Sequence, residues 1–188
     1  MTVLGSEDPV RVFQQYSTLD NLTEGRAEIM VGRGAFIESF PLFGYNLDDY
    51  DDIFIEKIQL LMAMNESERI SWSGSEHVQT IDNRGVYPRP FQNSLPIWLA
   101  VGGTPESAVR AGTLGLPLAL GIIGGQIARF APLFDLYRNS SAKARYDPSK
   151  LQTSLNVHGF VGDTHRVQTG FVPAPARPGP NSVVVRQL

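Results

Sequence analysis

Short apolar segments alternate with stretches of helical spacing through the second half of this chain. We predict strands over Ile97–Val101, Leu118–Ile122 and 153–161, with helices over 104–114 and 126–144 between them. A buried strand followed by a helix and another buried strand is typical of a parallel sheet with helices packed outside it. This alternation predicts an α/β fold.

The first half of the chain carries the same kinds of element less regularly. Asp8 is suited to cap a first helix, residues 27–31 form a short β-rich run, and residues 47–64 have an apolar helical face behind an acidic start. Residues 69–90 are predicted to form a small extended segment outside the strand–helix pattern. In the last predicted helix, Pro132 indicates a kink.

The amino-acid composition excludes several classes of function. With 188 residues and 42% hydrophobic content, one domain with a core is expected. The chain has no cysteine, which excludes a disulfide framework and thiol catalysis, and no metal-ligand spacing is present. A net charge of −3 with dispersed Lys and Arg predicts no nucleic-acid partner. Without a signal-peptide pattern or a bilayer-length apolar run, we expect a cytoplasmic protein with no membrane partner.

A glycine turn follows the predicted strand that ends at Val101. Gly102 and Gly103 allow close approach to a ligand, and Thr104 opens a helix that carries Ser107 in its first turn. Backbone N–H groups at such a helix start favour an anion, for example a phosphate. From these residues alone, a phosphate site and an ordinary capped strand–helix turn both remain open.

Two further glycine turns follow other predicted strands. Gly124 and Gly125 stand in the same position after the next strand, and in a parallel sheet both turns reach the ligand-binding edge. Arg33 lies between two glycines after the run 27–31. A charge there is expected to meet an anion or a carboxylate, and a salt bridge to Glu38 or plain solvation is the alternative.

The end of the chain holds one weak catalytic candidate and an unusual tail. His158 lies near the end of a predicted strand, where it is either a proton-transfer group or a hydrogen-bonded structural residue. Residues 165–188 contain no acidic residue and several prolines. We predict a domain over 1–164, and a tail over 165–188 that is either disordered or not selected as part of the fold.

Several motifs occur together and in order. They are Val31-Gly32-Arg33-Gly34, Phe40-Pro41-Leu42-Phe43-Gly44, Val101-Gly102-Gly103-Thr104-Pro105-Glu106-Ser107, Arg129-Phe130-Ala131-Pro132-Leu133 and His158-Gly159-Phe160-Val161. With them the chain resembles the bacterial luciferase-like (LLM class) flavin-dependent monooxygenases over residues 3–164.

The resemblance implies a fold, a chemistry and a cofactor site. The fold is part of a (β/α)₈ barrel, about strands 3 or 4 to 7. The chemistry is oxidoreduction with reduced FMN, or alternatively the deazaflavin F420, acting on a small organic substrate and, with FMN, on O₂. A flavin reductase supplies the reduced flavin. Arg33 matches the family's arginine that binds the flavin phosphate. Further phosphate-binding residues follow strand 5 in the family, and they match Gly102, Gly103, Thr104 and Ser107, with Gly124 and Gly125 in the neighbouring loop.

The same resemblance implies that the chain is incomplete. A whole barrel needs about 250 residues, and the first strands, which carry the family's catalytic side chains, have no counterpart. We therefore expect an incomplete and inactive copy, or a non-catalytic remnant or partner subunit, stabilised as a homo- or hetero-oligomer. A phosphosugar-type barrel enzyme would use the same phosphate turn but needs catalytic acids or lysines that are not found at the strand ends.

Overall fold

The computed structural model describes residues 1–34, 36–159 and 183–184. The chain divides into unit 1, Met1–Ala100, and unit 2, Val101–Leu188. Each unit contains parallel strands and helices, as the α/β prediction requires.

Unit 1 holds three parallel strands. Its elements in chain order are β1 (Thr2–Val3), α1 (Pro9–Leu22), β2 (Ile29–Gly32), α2 (Ser39–Leu42), α3 (Tyr50–Glu66), β3 (Arg69–Trp72), β4 (Ile81–Gly85) and β5 (Ile97–Val101, whose last residue begins unit 2). β2 lies between β1 and β5 and pairs in parallel with both, with Val31 opposite Thr2 and Ile29 opposite Ile97. Ile29 and Val31 are fully buried, so one face of β2 belongs to the core.

The two long helices of unit 1 begin where the sequence indicates. The Asp8 carboxylate caps α1 by accepting hydrogen bonds from the backbone N–H groups of Val10 (2.9 Å) and Arg11 (3.1 Å). The segment predicted as one helix over 47–64 is a 3-10 helix, Leu47–Asp49, followed by α3. Acidic residues occupy the first turn of α3, where the helix dipole favours them.

The extended segment predicted over 69–90 contains an antiparallel hairpin. β3 and β4 pair with Arg69 opposite Gly85 and Ile70 opposite Arg84, and the pairing shifts between Ile70 and Trp72. The hairpin is separate from the parallel strands of unit 1.

Unit 2 repeats the strand–helix pattern. Its elements are α4 (Pro105–Thr113), β6 (Leu118–Ile122), α5 (Ala131–Lys143), β7 (Thr153–Gly159) and β8 (Val183–Val184). β6 and β7 pair in parallel, with Leu118 opposite Thr153 at one end and Ile122 opposite Val157 at the other. β8 pairs antiparallel with β7. The rest of the predicted tail over 165–188 lies outside the described residues.

One helix prediction is wrong in detail. The segment 126–144 is a 3-10 helix, Ile127–Phe130, followed by α5, and Pro132 lies in the first turn of α5 instead of kinking a longer helix. The physical reason is that proline lacks an N–H group, which the first turn of a helix does not need, and its fixed φ suits that turn.

Candidate functional site

The turn between β5 and α4 brings two hydroxyl groups together at a helix start. Gly103 has a φ of +113°, a conformation that other residues rarely adopt. Thr104 stands at the N-cap position with extended backbone, as predicted, and Pro105 takes the first helical position, which suits its fixed φ. The Thr104 side chain does not cap the helix backbone; its Oγ1 lies 3.2 Å from Oγ of Ser107.

The backbone beside this helix start is sterically open at three predicted site residues. A Cβ atom built at Gly102, Gly124 or Gly125 would meet no heavy atom within 4 Å. Gly103 is closer to a neighbour, since a Cβ there would lie 3.2 Å from the Phe130 ring. Unit 2 therefore leaves room for a ligand against its glycine turns.

The glycine turns of unit 2 share a cleft of about 470 Å³. It is lined by Gly103, Pro105, Gly124, Gly125, Arg129, Phe130, Pro132, Leu133 and Leu136. The structure thus brings three of the predicted glycines to one cleft, whereas Gly102, Thr104 and Ser107 do not line it. Arg129 is exposed and is the charged residue among those lining the cleft.

Arg33 lies in unit 1, directly after the end of β2. Its Nη1 donates a hydrogen bond to Oδ1 of Asp51 at 2.6 Å, and its guanidinium carbon lies 4.9 Å from the centre of the Tyr50 ring. The expectation that a glycine-flanked arginine meets a carboxylate or an anion is met by Asp51. The alternative partner Glu38 is wrong, because the first turn of α3 places Asp51 at the guanidinium instead.

The weak catalytic candidate His158 is exposed on β7, where it lies opposite Val184 of β8. Among the residues that the structure describes, no group of three or more His, Asp or Glu side chains is arranged to hold a metal ion. No helix within the described ranges is long and apolar enough to cross a membrane.

Comparison with known proteins identifies the family. The family model for luciferase-like monooxygenase matches residues 1–168. The chain belongs to this family. It is 28% identical over 164 residues to the alkanal monooxygenase alpha chain of Aliivibrio fischeri, covering 86% of this chain and 44% of that one.

Two further similar proteins have names that specify different cofactors. The F420-dependent glucose-6-phosphate dehydrogenase of Amycolatopsis mediterranei is 27% identical over 111 residues, which cover 57% of this chain and 32% of that one. The oxygenating constituent of 3,6-diketocamphane monooxygenase from Pseudomonas putida, solved in complex with FMN, superposes with a TM-score of 0.69 at 16% identity, covering 88% and 48% of the two chains. The chain thus spans less than half the length of these relatives.

These comparisons confirm the family and the α/β fold with parallel strands, and the structural neighbours are luciferase-like barrel enzymes. The roles of individual residues stay predictions. Arg129 has no predicted role from the sequence, although it stands shortly after Gly125 at the start of the motif Arg129-Phe130-Ala131-Pro132-Leu133. Asp51 belongs to the acidic start of residues 47–64, which from the sequence alone indicates only a complement to the helix dipole, since nothing local links it to Arg33.

Proposed function

We propose that this chain is the phosphate-anchoring part of a luciferase-like flavin-dependent monooxygenase, with reduced FMN as cofactor and F420 as the alternative. The observation that carries the proposal is the start of α4, where the Thr104 and Ser107 hydroxyls lie 3.2 Å apart beside an open glycine turn. Membership of the family supports it, as do relatives whose names specify FMN or F420.

The residues of this turn suit a phosphate group chemically. At the start of α4, Pro105 has no N–H group and the Ser107 N–H donates to the Thr104 carbonyl at 3.1 Å, so the Glu106 N–H is the backbone donor of this turn that an anion can use. Within the pair of hydroxyls one donates to the other, and the accepting hydroxyl keeps its own O–H group for a phosphate oxygen. Arg129, in the cleft that Gly103 also lines, adds a full positive charge. A phosphate held here would fix one end of the cofactor, and when bound, the reduced flavin supplies the electrons for the reaction.

Arg33 enters the proposal through the resemblance, as a further phosphate ligand at the end of β2. FMN and F420 both carry a phosphate on the chain attached to the flavin ring, so the anchor accepts either. The proposed reaction also needs a small organic substrate, O₂ and a flavin reductase, and the chain takes part in it as a subunit of a homo- or hetero-oligomer. The alternative function is a subunit without redox activity.

The experiment compares FMN with riboflavin, which lacks the phosphate. Titrating the full chain while following flavin fluorescence, we expect FMN to bind at least about tenfold more tightly, because charge-assisted hydrogen bonds contribute about 1.5–3 kcal/mol each. T104A and R129Q should weaken FMN binding about tenfold and leave riboflavin binding unchanged. Equal affinity of the wild type for the two flavins would refute the phosphate anchor.

Matched control variants are available on α4 and α5. T113A removes the same hydroxyl from the exposed far end of α4, and R138Q removes the same charge from an exposed position on α5. Neither should change the FMN affinity. Consumption of O₂ with a flavin reductase and NADH then separates an active oxidoreductase from a subunit that binds flavin without turnover.

A further inference from the structure

Arg33 is held by two consecutive residues at the start of α3. Its guanidinium donates to Asp51 at 2.6 Å and lies over the Tyr50 ring at 4.9 Å. The Tyr50 hydroxyl donates to the carbonyl of Gly34 at 2.7 Å, which ties the turn after β2 to the same helix. Only 19% of the Arg33 side chain is exposed, so these contacts restrict its direction.

The two partners differ in how open they are. Asp51 leaves 60% of its side chain exposed, so the carboxylate side of the ion pair faces solvent. Tyr50 packs against Phe40, which is fully buried, with ring centres 5.1 Å apart. Tyr50 is therefore a fixed support for the guanidinium, whereas Asp51 is a partner that an incoming anion can displace.

A carboxylate and a phosphate present oxygen atoms to a guanidinium in the same way, and both form short charge-assisted hydrogen bonds with it. The carboxylate side of this ion pair is exposed, so water screens the pair and weakens it. The geometry points to Asp51 as an exchangeable counterion of Arg33: it holds the guanidinium in position when no ligand is bound and yields it to the cofactor phosphate. This inference rests on the proposed function, in which Arg33 is a phosphate ligand.

The consequence is that Asp51 lowers the affinity for phosphorylated flavin. Its negative charge remains close to the bound phosphate and repels it. Because Asp51 is largely exposed, water screens this repulsion, and in a nearly water-like dielectric two like charges about 6 Å apart change an equilibrium about three- to tenfold. Asp51 therefore tunes how firmly Arg33 holds the phosphate, while Tyr50 determines where the guanidinium points.

The test is the ratio of the riboflavin Kd to the FMN Kd for the full chain at low ionic strength. D51N should bind FMN about three- to tenfold more tightly than the wild type, with riboflavin unchanged. D52N is the matched control, since it makes the same change in charge at the next, exposed residue, and its effect should be smaller. In an R33Q background, D51N should give little further tightening.

The outcomes separate the two levels of the proposal. If the wild type prefers FMN over riboflavin but D51N leaves FMN binding unchanged or weakens it, Asp51 is not an exchangeable counterion and the proposed function still holds. If the wild type does not distinguish the two flavins, the phosphate anchor itself fails and this inference with it. Far-UV circular dichroism checks that D51N is folded, and D51S, which also removes the charge, should give the same direction of change.

Discussion

A buried carboxylate in unit 1 joins three segments of the chain. Asp20 is fully buried and accepts hydrogen bonds from the backbone N–H of Ala27 (3.2 Å) and from the backbone (2.9 Å) and side-chain (2.8 Å) N–H groups of Gln92. Burial raises the pKa of Asp20, but these hydrogen bonds lower it more, so the net pKa lies below its ordinary value. The charged form therefore stabilises the fold.

We expect D20N to destabilise the protein by about 2 kcal/mol at pH 7, because the new amide places N–H groups against N–H donors. The pKa of Asp20 is lowered in the folded state. Its stabilisation of the fold is therefore present above the ordinary pKa of about 4, and it is lost as the pH falls through the lower pKa of the folded state. Urea unfolding of the wild type and D20N at pH 7 and pH 3 measures this. The difference in unfolding free energy should shrink at pH 3.

D147N is the control for this prediction. Asp147 also has a lowered pKa, caused by hydrogen bonds from the side chain and backbone of Ser149, but it is exposed. Its replacement should change stability little at either pH. A D20N protein as stable as the wild type at pH 7 would contradict the role given to Asp20.

Single residues were predictable from the sequence only where their partners are close in the chain. Asp8 caps α1 through the two N–H groups that follow it, and the sequence indicates this directly. Arg33 was predicted to meet an anion or a carboxylate, with a salt bridge to Glu38 or plain solvation as the alternative. The actual partner, Asp51, is reached only because α3 folds back to the end of β2, and no local pattern encodes that return.

At the scale of elements, the packing of α4 against α5 depends on one glycine. A Cβ atom at Gly112 would overlap the carbonyl oxygen of Tyr137 and the hydroxyl of Ser140, and would lie 3.0 Å from the backbone nitrogen of Ser141. Tyr137 is fully buried and donates to the Leu116 carbonyl at 2.9 Å, so α5 cannot move away without cost. The glycine thus allows two helix backbones to approach closely.

G112A should destabilise the protein by about 1–3 kcal/mol, although alanine is the better helix former by about 1 kcal/mol. Thermal or urea unfolding followed by circular dichroism measures the change. G121A is the matched control, because a Cβ at Gly121 would meet only the Val101 carbonyl at 4.0 Å. If G112A were as stable as G121A, the close helix approach would not be needed for stability.

The elements themselves were largely predictable, because each carries its own signal. The apolar runs that became β5 and β6 were placed with the bounds that the structure shows, since buried parallel strands are continuous apolar segments. The helix before β7 was predicted too long. The apolar spacing of Ile127, Phe130 and Leu133 continues through Pro132, so periodicity alone does not separate a 3-10 turn from the helix that follows.

At the scale of the whole molecule, the exposed apolar side chains are unevenly distributed. Between β2 and α3, large apolar residues are mostly exposed: Phe36 (79%), Ile37 (56%), Leu42 (81%), Phe43 (60%) and Leu47 (41%). Single exposed apolar residues are normal, but a concentration of them marks a contact surface or an aggregation hazard. The sequence led to the same expectation by another argument, from the number of strands that a closed barrel requires.

We therefore expect the isolated chain to bind a hydrophobic dye and to associate with further copies as its concentration rises. Light scattering coupled to size-exclusion chromatography measures the mass, and L42S should lower both association and dye binding. L22S is a matched control, because Leu22 is equally exposed (78%) but lies at the end of α1, outside this segment.

The apolar segment between β2 and α3 leads directly from Arg33 to Asp51, so association there should also change FMN affinity with protein concentration. A monomer that unfolds in one sharp transition with little dye binding would show instead that this segment is tolerated in water, and the oligomer would then have no place in the proposed function.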